Sequence, residues 1–152
     1  MKMKLEKDVQ IKNKRATFEY TLMDRYECGM MLMGSEIKSI RQAKASIMEA
    51  YCFVHNEEVW VKNMNISEYK EASLNNHFPK RDRKLLLRKN EIEKIISKLK
   101  NKGFTLVPTL LYINEKGFAK LQIHLAKGKK LYDKRESLKT KDATREMARK
   151  IK

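Results

Sequence analysis

The side chains best suited to chemistry in this chain are three histidines, His55, His77 and His124, and two cysteines, Cys28 and Cys52. Their spacing builds no reactive centre. There is no HExxH to set two imidazoles on one helix face, and no CxxC or Cys/His cluster to hold a metal. No GxGxxG or Walker-type glycine loop offers a phosphate cradle. Glu57 and Glu58 are neighbouring carboxylates in an expected turn, where water solvates both. His55 lies beside them, and His124 alternates onto the polar face of a strand. The reading is a chain with no catalytic set, no metal site and no cofactor. Two isolated cysteines are expected as buried small hydrophobes in a reducing cytoplasm.

Binding chemistry is far denser. The 152-residue chain carries 35 Lys and Arg against 19 Asp and Glu, a formal net charge of +16. The excess lies in blocks. Residues 1–15 hold six basic and two acidic side chains, residues 80–102 ten and three, and residues 127–152 eleven and four. These blocks exceed the whole-chain excess, so the rest of the body is close to neutral and slightly acidic. Solubility does not require one sign in blocks, whereas a polyanion does. Nucleic acid is the first candidate and an anionic membrane surface the second. Pro79-Lys80-Arg81-Asp82-Arg83-Lys84 is a dense cationic run in which each base can meet a phosphate, implying steep salt dependence. Leu85-Leu86-Leu87 follows it; two are expected in the core, and an exposed third can pack on a splayed base. Tyr20, Tyr26, Phe53, Trp60 and Tyr112 lie in or near strands. Most are expected in the core, and any outward one can stack on RNA. Tyr132 sits among cations beyond the last strand, where no core can receive it, so its favoured role is a stacking contact.

These groups need a scaffold. The length suits one domain with a modest core. No apolar run approaches the ~20 residues of a membrane span, and Met1 to Glu6 shows no secretory signal. The first dozen residues are expected as a mobile arm. Phe18, Tyr20 and Leu22 alternate with Thr17, Glu19 and Thr21 as a half-buried strand. Asp24 to Gly29 reads as a bend, and Met30 to Met33 as a short strand ended by Gly34. Ser35 is expected to cap a short helix with Ile37 and Ile40 inward and Lys38 and Arg41 outward. Residues 50–54 and 58–62 predict a hairpin, and residues 67–83 the longest loop. Ile92, Ile95, Ile96 and Leu99 fall on one helical face, with Asn90 as N-cap and Gly103 as stop. Phe104 to Ile113 and Ala119 to Leu125 predict two strands around the turn Asn114 to Gly117, with Pro108 marking an edge or bulge. From Lys127 onward the apolar stripe is too thin to hold itself folded, so the tail is expected to be disordered alone and helical on a target. The pattern fits a mainly β chain: an OB-like small antiparallel barrel with two to three flanking helices, whose open face suits oligonucleotides. Its expected parts are a basic arm 1–11, a barrel 12–126 and a basic tail 127–152.

Several longer strings occur in order: Asn13-Lys14-Arg15-Ala16, Tyr26-Glu27-Cys28-Gly29, Gly34-Ser35-Glu36-Ile37-Lys38-Ser39-Ile40-Arg41, Arg83-Lys84-Leu85-Leu86-Leu87, Gly103-Phe104-Thr105-Leu106-Val107-Pro108 and Ala126-Lys127-Gly128-Lys129-Lys130-Leu131-Tyr132-Asp133-Lys134-Arg135. Together they resemble the SsrA-binding (SmpB) family of bacterial trans-translation from about residue 11 to the end. Ala43 stands where that family often has Gly, and Ser35 where Thr is common.

The resemblance implies an OB-like barrel that binds the tRNA-like domain of transfer-messenger RNA and delivers it to stalled ribosomes. The tail would fold into a helix in the decoding centre and empty message channel, against small-subunit ribosomal RNA. Carried over by motif, Asn13, Lys14, Arg15, Glu27, Lys38, Arg41, Lys84 and Leu86 are candidates for the transfer-messenger RNA face. Lys129, Lys130, Tyr132, Asp133, Lys134 and Arg135 are candidates for ribosomal RNA contact. Neither a membrane nor DNA is an expected partner. A carboxylate among cations suits base reading, since it accepts hydrogen bonds from amino and imino groups. The competing role for Glu27 is a surface ion pair with Arg15 or Arg25; for Lys38 and Arg41 it is a solvated helix face. The alternative to a rescue factor is a basic structural ribosomal protein, present once per ribosome.

Overall fold

Ala119, Leu121, Ile123 and Leu125 alternate with Lys120, Gln122 and His124, a period of two that gives strand β9 (Ala119–Gly128) one apolar face. The computed structural model describes residues 9–72 and 76–129, and there that face is buried. β9 pairs antiparallel with β8 (Phe104–Ile113) on one side and with β2 (Tyr20–Met30) on the other. β8 continues to β4 (Tyr51–His55), β4 to β5 (Glu58–Lys62), β5 to β7 (Arg83–Leu86), and β7 returns to β2. The strands close into a ring, and closure removes the open edges of a flat sheet. β1 (Gln10–Lys12) shares the β4 edge of β8, while β3 (Ala45–Ser46) and β6 (Asn65–Ile66) form a separate ribbon. Among the described residues three helices flank the ring: α1 (Lys14–Glu19), α2 (Gly34–Arg41) and α3 (Lys89–Leu99).

Val59, Val61, Leu85, Leu106, Leu111, Leu121 and Ile123 fill the ring, with Ile40 of α2 and Ile95 of α3 packed into the same cluster. Cys28 and Cys52 are free and buried there, and burial pushes the Cys28 thiol up to about 12 and Cys52 well above its usual range. They are the small hydrophobes their isolation suggests.

The OB-like barrel, the hairpin of β4 and β5, α3 and the hairpin of β8 and β9 follow the sequence pattern, and the register shifts between Pro108 and Leu110. Other segments differ, each for a reason. Residues 14–19 are helical, not extended: α1 buries Ala16 against Val107 and Ala126, and the apparent alternation of Phe18, Tyr20 and Leu22 runs across a helix–strand junction. Asp24 to Gly29 is strand, not bend. Its polar residues Arg25 and Glu27 are one face of a ribbon whose other face buries Tyr26 and Cys28, and a bulge between Leu22 and Arg25 adjusts the register. Residues 10–12 of the expected arm pair with Tyr112, Leu111 and Leu110. The last strand runs to Gly128, opposite Tyr20 and two residues past the expected end of the barrel. α3 follows Arg88 rather than Asn90, and α2 follows Met33 rather than Ser35, whose side chain is buried elsewhere.

Ala43 sits at φ 58°, in the left-handed region where a Cβ is strained. That geometry explains why glycine suits this position after α2. Ala43→Gly is expected to stabilise the fold by about 0.5–1 kcal/mol, the relief of strain exceeding the added chain entropy. A urea midpoint no higher than that of the parent would count against it.

Candidate nucleic-acid interface

The outward face of β2 begins the site. Glu27 alternates out of the barrel between the buried Tyr26 and Cys28, opposite Gln122 of β9. The Tyr112 phenol of β8 is hydrogen-bonded to its carboxylate; burial and then this carboxylate hold Tyr112 above the usual tyrosine range. Two residues on, Gly29 lies opposite Leu86 of β7, and a Cβ on Gly29 would come within 3.3 Å of the Leu86 Cβ. Strand alternation leaves Leu86 on the surface, 47% exposed, while Leu85 is buried and Leu87 packs against the core. Glu27, Lys84, Leu86, Arg88 and Lys120 line one cleft between β2, β7 and α3. Lys84 Nζ lies 2.9 Å from Glu58 Oε2, a half-exposed pair that costs little to exchange for a phosphate. The arrangement is an apolar knob and a carboxylate acceptor ringed by cations, which can seat an unstacked base and its phosphates.

Arg41 lies on a second cleft that shares Gly29, Leu86 and Lys120 with the first. Its Nη2 donates to the Gly117 carbonyl at 3.2 Å, tying the end of α2 to the β8–β9 turn. Lys38, on the exposed side of α2, holds its ammonium 5.4 Å from the centre of the Tyr69 ring. The structure therefore gathers Glu27, Lys84, Leu86 and Arg41 on one end of the barrel, with Lys38 on the outer side of the same helix as Arg41.

Asn13, Lys14 and Arg15 are elsewhere. They sit near the Tyr20 end of β2, roughly 20 Å along the strand from Glu27. Lys14 is exposed there. Asn13, expected on the RNA face, lies at the foot of α1. Its side chain is buried, its Nδ2 donates to the carbonyls of Pro108 at 2.9 Å and Ile47 at 3.3 Å, and its N–H donates to Thr109. The residue pins α1 onto β8 through its amide nitrogen, while its Oδ1 has no hydrogen-bond partner among the described residues. Arg15 is exposed but bridges Glu19 at 3.0 Å and Glu49 at 2.8 Å, so the competing ion pair of Arg15 with Glu27 is not formed.

The cationic run before β7 also divides. Arg83 is 0% exposed, and its guanidinium donates to Glu36 Oε2 and to the carbonyls of Met64 and Pro79 at 2.7 and 3.1 Å. Arg81 reaches the other carboxylate oxygen, Glu36 Oε1, at 2.5 Å. Burial alone would push the Glu36 carboxyl up; hydrogen bonds from Arg81, the Met33 N–H and Arg83 outweigh it and hold the group below the usual range. Burial lowers Arg83, offset in part by Glu36. The Glu and Arg of two separate motif strings are thus one buried ion pair, and Arg83 is not a phosphate contact. His77, read as a loop residue, belongs to the same neighbourhood. It is buried, with Nε2 donating to the Ile66 carbonyl at 2.9 Å and Nδ1 accepting from the Ser35 hydroxyl at 2.8 Å.

Sequence reasoning missed Lys120 and Phe118. Lys120 lies on the polar side of β9, and nothing local says that this side faces Leu86. Phe118 follows a turn glycine and is 62% exposed. Of the expected tail contacts, Lys129 lies against α1, its N–H donating to the Glu19 carbonyl at 2.9 Å. Lys130, Tyr132, Asp133, Lys134 and Arg135 lie outside the described residues. Among the described residues no group of three His, Cys, Asp or Glu side chains gathers to hold a metal, and no helix is long and apolar enough to cross a membrane.

Comparison with known proteins agrees with this architecture. A family model described as SmpB protein matches residues 10–152. An SsrA-binding protein of Bacteroides thetaiotaomicron is 60% identical over 144 residues, covering 95% of this chain and 96% of the relative. Another, from Parabacteroides distasonis, is 53% identical over 152 residues, covering 100% of this chain and 99% of its own. A solved chain described under "tmRNA-SmpB: a journey to the center of the bacterial ribosome" superposes with a TM-score of 0.69 at 37% identity, covering 86% of this chain and 94% of that one. A family match over nearly the whole length, near-complete coverage of relatives and a shared barrel together establish that the chain belongs to the SmpB family.

Proposed function

We propose that this chain binds the tRNA-like domain of transfer-messenger RNA and delivers it to stalled ribosomes for trans-translation. It acts by recognition alone; peptide-bond chemistry belongs to the ribosome. The observation that carries this reading is the cleft in which Glu27, Lys84, Leu86 and Lys120 meet, in a chain of the SmpB family. Glu27 reads base donors, Leu86 packs on a base, and Lys84 and Lys120 hold phosphates. Arg41 and Lys38 extend that surface along α2, and Lys14 and Arg15 supply charge at the other end of the barrel. Asn13 serves indirectly, by fixing α1.

The path of the chain supports a second contact. Gly128 pairs beside Tyr20 and Lys129 meets Glu19, so the tail departs from the end of β2 remote from Glu27. One RNA can therefore be held at the cleft while the basic tail, 127–152, reaches small-subunit ribosomal RNA in the decoding centre and empty message channel. The site of action is the bacterial cytoplasm, where ribosomes translate.

Glu27→Ala is expected to weaken transfer-messenger RNA binding about 10- to 100-fold, the worth of hydrogen bonds to a charged acceptor. Its unfolding midpoint stays with the parent, since the residue is exposed. Filter binding at fixed salt measures the first and urea denaturation the second; undiminished affinity would remove Glu27 from base reading. A pull-down of the full chain from a bacterial lysate tests the function as a whole. Recovery of one abundant structured RNA supports it, and a random mixture defeats it. Substoichiometric occupancy of ribosomes separates it from a permanent ribosomal component.

A further inference from the structure

The turn between β8 and β9 holds an exposed aromatic ring in an unusually firm frame. Asn114 Oδ1 accepts from the N–H groups of Lys116 at 3.1 Å and Phe118 at 2.9 Å, and the Asn114 N–H donates to the Phe118 carbonyl at 2.9 Å. Gly117 turns at φ 85°, and Arg41 donates to its carbonyl from α2. A solvent-facing phenylalanine gains nothing for the core from such a frame. With the backbone that carries the ring already fixed, less entropy is lost when something stacks on it.

Phe118 borders a cleft with Met33, Ile37 and Leu86 on its apolar side and Lys120 at its rim; Lys116 lies on the neighbouring surface. The cleft shares Gly29, Leu86 and Lys120 with the proposed RNA face, so the two are continuous. An apolar slot edged by lysines matches a nucleotide, which is flat and apolar on its base faces and anionic at its phosphate. We propose that this cleft receives one unstacked nucleotide of the bound RNA, its base on the Phe118 ring and its phosphate at Lys116 and Lys120. Arg41 is a positioning residue, holding the turn that presents the ring. The inference rests on the transfer-messenger RNA reading above and adds a second base-binding point to it.

The test uses the full chain and full-length transfer-messenger RNA, with affinity measured across a range of salt. Phe118→Ala is expected to weaken binding about 5- to 100-fold, the range for loss of one base–aromatic stack. The slope of log affinity against log salt stays that of the parent, because no charge is lost, whereas Lys120→Ala flattens it by about 1. Phe118→Tyr restores binding to within about twofold, and Phe118→Leu does not. Parent-like binding by Phe118→Ala or Phe118→Leu, with Glu27→Ala still weakened, overturns the nucleotide slot and leaves the RNA reading standing. Failure of the parent chain to bind the RNA overturns both. Intact RNA affinity together with crosslinking from position 118 to a ribosomal protein replaces the nucleotide with a protein partner and also overturns the proposal.

Discussion

Arg83→Met is expected to lower folding stability by about 3–5 kcal/mol, the effect of stripping one partner from a buried ion pair. Arg83 is 0% exposed and so is Glu36, and the guanidinium also satisfies the Met64 and Pro79 carbonyls. Without it, Glu36 keeps only Arg81 and the Met33 N–H, and the segment leading into β7 loses its anchor. Small domains have about 5–15 kcal/mol in total, so a large unfolded fraction at physiological temperature follows. The double variant Glu36→Leu with Arg83→Met should recover at most a small part of the loss, because the Met64 and Pro79 carbonyls still lack their donor and Arg81 and the Met33 N–H lose their acceptor. Lys80→Ala, three residues away but exposed, should change stability by less than about 0.5 kcal/mol. Urea denaturation of the four proteins measures all of this. An Arg83→Met midpoint equal to that of the parent would show that the ion pair contributes nothing to the fold.

Removal of residues 130–152 is expected to abolish peptide tagging while leaving transfer-messenger RNA affinity within a few-fold of the parent. The deleted segment holds nine Lys and Arg against four Asp and Glu, and the described strand that closes the barrel, β9, ends before it at Gly128. The cut must fall after Lys129. Ending the chain at Ala126 would also remove Lys127 and Gly128, which pair with Thr21, Phe104 and Tyr20, and would confuse a tail effect with damage to β9. Lost charge flattens the salt dependence of ribosome binding more than that of transfer-messenger RNA binding. A tagging assay in a reconstituted translation system reads the main effect. Tagging that survives the truncation would sink the tail assignment, and lost RNA affinity would move the RNA face onto the tail.

Much of the architecture is written locally. The period of two from Ala119 to Leu125, the helical spacing of Ile92, Ile95, Ile96 and Leu99, and the two short apolar runs around Asn56 each select one backbone conformation from nearest neighbours. The blocks of positive charge likewise announce a polyanionic partner without any fold. Where a local pattern had two solutions, reading it alone failed: Arg25 and Glu27 suggest a turn until the buried Tyr26 and Cys28 between them show a strand.

By itself, then, the sequence determined a small barrel, a basic tail, an RNA-binding character and the family strings. Only the tertiary structure decided which members of those strings face outward. Arg83 and Lys84 are adjacent cations, yet β-strand alternation sends the first to Glu36, 47 residues away, and the second to the surface. Asn13 and Glu27 are both polar motif residues, yet one is spent on the Pro108 carbonyl and the other is exposed. Leu86, Lys120 and Phe118 come together only because β7 and β9 flank β2. Charge and hydrophobicity are properties of single residues, whereas exposure depends on partners brought near by strand pairing, and no short window of sequence contains them.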